Sequence, residues 1–171
     1  AYRTTGIVPD EIATHSSLPC TLLAIDGTVT QFLEAWALEP VEVLRLDQQE
    51  FTLAAPERWL DLDAGEAVIR RRVMLRGTLS GRFYTWADSS IAVGRIGPEM
   101  HRGLERAGGG IGRILIEAGV ESRREALWYG RERPEAVPPE VAACHAGDFL
   151  VRSYRLLADG RPLMLITERF P

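Results

Sequence analysis

The strongest structural signal in the chain is the stretch Val68-Ile69-Arg70-Arg71-Arg72-Val73-Met74-Leu75. Its composition is typical of a β-strand, in which alternate side chains point to opposite faces of the sheet. One face then carries a solvated set, made of Arg70, Arg72, Met74 and the following Arg76. On the other face, Arg71 stands alone in an apolar row formed by Ile69, Val73 and Leu75.

A second charge falls on an apolar face near the end of the chain, where Glu168 alternates with Met164, Ile166 and Phe170. A charge on a buried face is destabilising unless it is paired or binds a ligand. Arg71 and Glu168 therefore predict either a structural ion pair or a buried site for a small anionic molecule. The planar arginine fork, which can bind a carboxylate through two hydrogen bonds, favours the ligand site. A buried glutamate there is suited to proton transfer.

The remaining pattern predicts an antiparallel sheet with helices packed on it, an α+β domain. Two hairpins are indicated, one turning within Thr78 to Arg82 and one at Asp159-Gly160. The predicted strands cover 41–51, 68–77, 83–93, 121–131, 148–158 and 161–170. The predicted helices cover 9–15, 98–106, 113–117 and a run after Thr28 whose buried face carries Val29, Phe32, Leu33 and Trp36. The segment 133–146 contains three prolines and is predicted as a loop. Because no regular β-α-β alternation occurs, a parallel sheet is not expected.

Composition limits the range of functions. A chain of 171 residues suits a single domain over 1–171. The net charge of −4 gives no general attraction to nucleic acid or to an anionic membrane. No apolar run approaches the ~20 residues that span a bilayer, so a cytoplasmic location is the default expectation. Cys20 and Cys144 could form one disulfide, but two buried free thiols are expected, and no cysteine or histidine spacing indicates a metal site.

The glycine run Gly108 to Gly112 precedes a predicted helix but lacks the Lys-Ser/Thr ending of a P-loop. It is either a flexible linker or a helix start whose exposed N–H groups bind a carboxylate. Ser89 and Ser90 lack the G-x-S-x-G context of a hydrolase nucleophile. The sequence therefore gives little support to nucleotide binding or to nucleophilic hydrolysis.

Several segments, in this order along the chain, resemble the bacterial branch of the chorismate pyruvate-lyase (4-hydroxybenzoate synthase) family. They are 23–30 (Leu-Ala-Ile-Asp-Gly-Thr-Val-Thr), 71–77 (Arg-Arg-Val-Met-Leu-Arg-Gly), 86–89 (Trp-Ala-Asp-Ser), Ile111-Gly112, the turn 155–160, and 162–171 (Pro-Leu-Met-Leu-Ile-Thr-Glu-Arg-Phe-Pro). The resemblance runs from about residue 20 to the end of the chain. It implies a six-stranded antiparallel sheet with helical flaps over a buried ligand site.

The resemblance also implies a cofactor-independent reaction, in which chorismate loses its enolpyruvyl side chain as pyruvate and the ring becomes 4-hydroxybenzoate. The family's catalytic pair falls on Arg71, which would bind a carboxylate, and on Glu168. Its other substrate contacts fall on Thr28, Ile111 and Gly112. Either Arg123 or Arg124 is a candidate for a second carboxylate contact, since strand geometry lets only one face inward. Substrate and product would be the only partners, with no nucleic acid or membrane, in a monomer or homodimer.

Two alternatives stay open at this point. A non-catalytic small-molecule-sensing domain of the UTRA type would share the architecture and bind its ligand without converting it. The inward arginine and glutamate would be unusual for a sugar-type effector, which favours the enzyme. A lyase acting on isochorismate or another chorismate-derived acid would keep Arg71 and change the contacts around the ring.

Overall fold

The computed structural model of the chain describes residues 28–106 and 108–171. The predicted helix over 9–15, together with His15 and Cys20, lies outside these residues. The described part contains six strands: β1 (Val41–Thr52), β2 (Ala67–Gly77), β3 (Phe83–Ala92), β4 (Arg123–Glu132), β5 (Phe149–Ala158) and β6 (Arg161–Phe170). It contains four α-helices: α1 (Val29–Ala37), α2 (Pro98–Glu105), α3 (Ile111–Glu117) and α4 (Pro139–Ala142), with a 3₁₀ turn at Val93–Arg95.

The six strands form one antiparallel sheet in the order β1-β2-β3-β6-β5-β4. The β2–β3 hairpin turns through Gly81, whose φ of +67° suits glycine. The β5–β6 hairpin turns through Asp159 and Gly160, with φ values of +51° and +74°. These observations confirm the predicted α+β class. Since β3 pairs with β6, the strand that ends the chain lies in the middle of the sheet.

The face of β2 that carries Arg71 is buried, as the alternation predicts. Val73 and Leu75 pack with Val29 and Leu33 of α1 in one apolar cluster. Farther along the same face, a second cluster joins the sheet to α2 and α3; its central members are Ile69, Ile91, Met100, Leu104, Ile114 and Leu115. Helices therefore cover this face on both sides of Arg71 and leave a space between them and the strands.

The opposite face is less solvated than predicted. Met74 is only 3% exposed and packs with Trp86, Phe149 and Val141. Val141 belongs to α4, within the segment predicted as a loop, and α4 covers this part of the sheet. The proline count concealed this helix, because Pro139 stands at a helix start, where its missing N–H and fixed φ are compatible with a helix.

Two further burial predictions are wrong. Trp36 is 41% exposed, and its ring lies edge-on against Tyr84. The helical periodicity correctly identified Val29 and Leu33 as buried but extended the buried face one turn too far. Cys144 is exposed rather than buried, because it follows α4 at the surface.

Candidate functional site

A cavity lies between the sheet and the first turns of α1 and α3. It encloses about 560 Å³ of empty volume, part of which is open to solvent. The structure brings all five predicted site residues to its wall: Thr28, Arg71, Ile111, Gly112 and Glu168. Two short strand side chains, Ala87 and Ser89 of β3, form the part of its lining that lies between Arg71 and Glu168.

Arg71 and Glu168 stand on the same face of the sheet with one strand between them. In the pairing register, Arg71 of β2 is opposite Ser89, and Glu168 of β6 is opposite Ala87. Two strand spacings and the offset of two residues between Ser89 and Ala87 place the backbone positions roughly 12 Å apart. The two residues do not form the ion pair considered above, since each has other partners.

The Arg71 side chain is 2% exposed and bonds only neutral acceptors. Its Nε–H donates to Gln48 Oε1 at 3.1 Å, and its Nη2–H donates to the carbonyl oxygen of Gly109 at 2.6 Å. Burial, and then the nearby charge of Arg45, lower the pKa of Arg71 to about 10, so the guanidinium is charged at neutral pH. Within residues 28–106 and 108–171, no carboxylate pairs with it. Its remaining N–H donors are suited to an anionic ligand.

Glu168 is held from two sides. Arg152 Nε–H donates to Oε2 at 2.5 Å, and the Tyr154 hydroxyl donates to Oε1 at 3.2 Å. Burial, and then the negative charge of Glu168, raise the pKa of Tyr154, which keeps the phenol protonated. Both contacts are donors to the carboxylate oxygens, so Glu168 is placed as a hydrogen-bond acceptor.

Sequence reasoning missed Arg152, which is 2% exposed. The signal was present, because alternation in β5 places Arg152 on the same face as Tyr154 and Leu156. The same rule that identified Arg71 would have found it. Tyr154 was also missed, although it lines the cavity beside Glu168.

The structure distinguishes the two candidate arginines of β4. Arg124 lines the cavity, with its guanidinium carbon 5.5 Å from the centroid of the Tyr154 ring. Arg123 is exposed. If a ligand contacts one of the pair, the geometry favours Arg124.

The two helix starts meet above the cavity. Thr28 precedes the first residue of α1, and Gly112 lies in the first turn of α3. A Cβ added to Gly112 would lie 2.8 Å from Thr28 Oγ1, so the close approach requires glycine. The N–H groups of Ile111 and Gly112 belong to a first helical turn, where no intrahelical acceptor is within reach.

The described residues contain no group of three or more His, Cys, Asp or Glu side chains placed to hold a metal ion. They also contain no helix with the length and apolar character needed to cross a membrane.

The fold is an open antiparallel sheet covered by short helices, and its cavity brings the predicted site residues together. The chain belongs to the chorismate pyruvate-lyase Rv2949c-like family, whose model matches residues 23–171. Among its relatives, the chorismate pyruvate-lyase of Mycobacterium leprae (strain TN) is 26% identical over 155 residues, which cover 87% of this chain and 71% of that protein. The chorismate pyruvate-lyase of Mycobacterium tuberculosis (strain ATCC 25618 / H37Rv) is 24% identical over 155 residues, which cover 87% of this chain and 77% of that protein.

The same fold occurs in solved structures. PhnF from Mycobacterium smegmatis superposes with a TM-score of 0.69 at 14% identity, covering 86% of this chain and 64% of that chain. The effector domain of PhnF from Mycobacterium smegmatis superposes with a TM-score of 0.65 at 14% identity, covering 84% of this chain and 88% of that chain. At these identities the likeness shows a shared fold alone.

Proposed function

We propose that this chain is a lyase that converts chorismate to 4-hydroxybenzoate and pyruvate. The observation that carries the proposal is the placement of Arg71 and Glu168 on one cavity wall. Arg71 is a buried cation without a carboxylate partner among the described residues, and Glu168 is a carboxylate held as an acceptor. A ring with a carboxylate at one end and a hydroxyl at the opposite end matches this pair.

In the proposed complex, the ring carboxylate binds the remaining Arg71 donors and the first-turn N–H groups of Ile111 and Gly112. Thr28 closes this end of the site, since its side chain packs against Gly112. The ring hydroxyl donates to Glu168 at the other end. Arg124 is the candidate contact for the carboxylate of the enolpyruvyl group, because it reaches the cavity from β4.

The reaction depends more on holding the substrate in position than on a strongly reactive catalytic group. The bond between ring carbon 3 and the ether oxygen breaks, and its electron pair leaves with the enolate of pyruvate. Carbon 4 loses its hydrogen as a proton, which completes the aromatic ring, and the methylene carbon of the enolate gains a proton. Aromatisation supplies the driving force, so positioning and electrostatic stabilisation are the contributions expected of the protein.

The test is to incubate the purified chain separately with chorismate and with isochorismate, and to separate the products by chromatography. Formation of 4-hydroxybenzoate and pyruvate from chorismate, above the rate without protein, supports the proposal. A different aromatic product would assign the chain to a lyase on another chorismate-derived acid.

A second candidate function is a non-catalytic ligand-sensing domain, which the likeness to the PhnF effector domain favours. It predicts that chorismate is recovered unchanged while some small acid raises the melting temperature. Turnover of chorismate at a rate that depends on Arg71 would exclude it.

A further inference from the structure

Ser89 is a buried polar side chain in the cavity wall that the proposed binding mode does not use. It is 4% exposed and lines the cavity, opposite Arg71 on one side and Ile166 on the other. Within the part of the chain that the structure describes, its hydroxyl makes no hydrogen bond. By contrast, the hydroxyl of Thr85 on the same strand donates to the Arg169 carbonyl oxygen at 2.8 Å. The Ser89 hydroxyl therefore has a donor at the open space of the cavity, where a ligand oxygen can accept from it.

The position of Ser89 restricts which ligand oxygen it can reach. The Arg71 side chain bends away from Ser89, toward Gln48 on β1 and Gly109 above the cavity. A carboxylate bound by Arg71 is thereby drawn toward the β1 side. Glu168 is opposite Ala87, which lies two residues from Ser89 along β3. Ser89 therefore faces the part of the ligand between the two ends.

We propose that the Ser89 hydroxyl donates a hydrogen bond to the ether oxygen of the enolpyruvyl group and is a catalytic residue. This inference rests on the proposed lyase function. In chorismate, the ether oxygen on carbon 3 is the oxygen bound to the ring between the carboxylate and the hydroxyl. When the carbon–oxygen bond breaks, negative charge develops on that oxygen, and a donor aimed at developing charge stabilises the transition state. Ser89 keeps its proton throughout, so the bonds broken and the protons transferred are those given above for the lyase reaction.

The test compares Ser89→Ala with Ser90→Ala. Ser90 is the next residue of β3 and points to the opposite face, so its replacement is the same chemical change outside the cavity. Two quantities are measured for each variant: kcat/KM with chorismate, and the dissociation constant for 4-hydroxybenzoate, which has no ether oxygen. We expect Ser89→Ala to lower kcat/KM by about a hundredfold while leaving 4-hydroxybenzoate binding unchanged. Ser90→Ala should leave both unchanged.

An equal loss of chorismate turnover and 4-hydroxybenzoate affinity in Ser89→Ala would overturn the assignment, because Ser89 would then contact the carboxylate or the hydroxyl. Unchanged values for both would also overturn it. Failure of the lyase function itself would be seen in the unmodified chain, as recovery of intact chorismate, before any variant is compared. The Ser89 assignment fails by itself only if the unmodified chain converts chorismate and the Ser89→Ala results contradict the assignment.

Discussion

Arg152 and Glu168 are opposite each other on β5 and β6, and Nε of the arginine lies 2.5 Å from Oε2 of the glutamate. The pair is almost fully buried, and Tyr154 donates to the second carboxylate oxygen. Removing one partner of such a pair leaves an uncompensated buried charge, which is more destabilising than the loss of an exposed pair. The cavity-lining carboxylate is thus positioned by a residue that does not itself line the cavity.

Replacing Arg152 with Met should lower the free energy of unfolding by about 3–5 kcal/mol, because Glu168 keeps its buried position without a cation. Urea unfolding followed by tryptophan fluorescence measures the change. The matched control is Arg72→Met, which removes a pairing with Asp88 on the more exposed opposite face and should change stability by about 1 kcal/mol or less. Similar values for the two variants would contradict the importance of burial.

Replacing Arg71 with Ala should weaken 4-hydroxybenzoate binding by roughly tenfold to a hundredfold while the fold survives. The lost donors are charge-assisted hydrogen bonds, each worth about 1.5–3 kcal/mol, and no described carboxylate loses a partner. Isothermal calorimetry gives the affinity, and circular dichroism reports the fold. Arg70→Ala, on the other face of the same strand, is the control and should bind normally. An Arg71 variant with full affinity would show that the carboxylate binds elsewhere.

Replacing Glu168 with Gln should mainly lower kcat for chorismate, because an amide is a weaker acceptor than a carboxylate for the ring hydroxyl. KM should change less, since Arg71 and the helix-start N–H groups are intact. The change also removes the carboxylate that pairs with Arg152, which is destabilising, so circular dichroism checks the fold and steady-state kinetics then separates the two constants. Glu132→Gln, which alters an ion pair of Arg169 outside the cavity, is the control. If kcat is unchanged in Glu168→Gln, Glu168 takes no part in the reaction.

Replacing Gly112 with Ala should destabilise the contact between the two helix starts, because the new Cβ would lie 2.8 Å from Thr28 Oγ1. Overpacking of this kind costs about 1–3 kcal/mol, and ligand binding should weaken with it. Gly94→Ala, where a Cβ meets no atom within 4 Å, is the control for thermal stability. Adding Thr28→Ala to the Gly112 variant removes Oγ1 and Cγ2, the two atoms at 2.8 Å, and leaves only Cβ at 3.2 Å, so it should restore most of the loss. If the double variant is as unstable as Gly112→Ala alone, contact with Thr28 is not the cause of the lost stability.

Glu39 makes the stability of the chain dependent on pH at the β2–β3 hairpin. Hydrogen bonds from the Ser80 and Tyr84 hydroxyls and from backbone N–H groups lower its pKa from 4.5 to about 2. Because the folded pKa is the lower one, this contribution is complete above pH 4.5 and is lost as the pH falls toward 2. Glu39→Gln should flatten this part of the stability curve, as measured by urea unfolding at several pH values. An unchanged curve would contradict the assignment.

Strand alternation was sufficient to predict the two ends of the candidate site. Arg71 and Glu168 each interrupt an apolar row, and that local signal does not depend on how the strands are ordered. The strand order itself is not local, so the sequence could not show that β3 separates β2 from β6 or that Glu168 pairs with Arg152. Thr28, Ile111 and Gly112 came from the family resemblance, since a helix start carries no signal of what lies opposite it. The single domain over 1–171 stays a prediction.

The lyase proposal is tested most directly by a product balance on chorismate, with the unmodified chain and Arg71→Ala compared against a control without protein. We expect equal amounts of 4-hydroxybenzoate and pyruvate from the unmodified chain and a strongly reduced yield from the variant. Intact chorismate in all three samples would contradict the lyase, and equal yields from both chains would contradict the site.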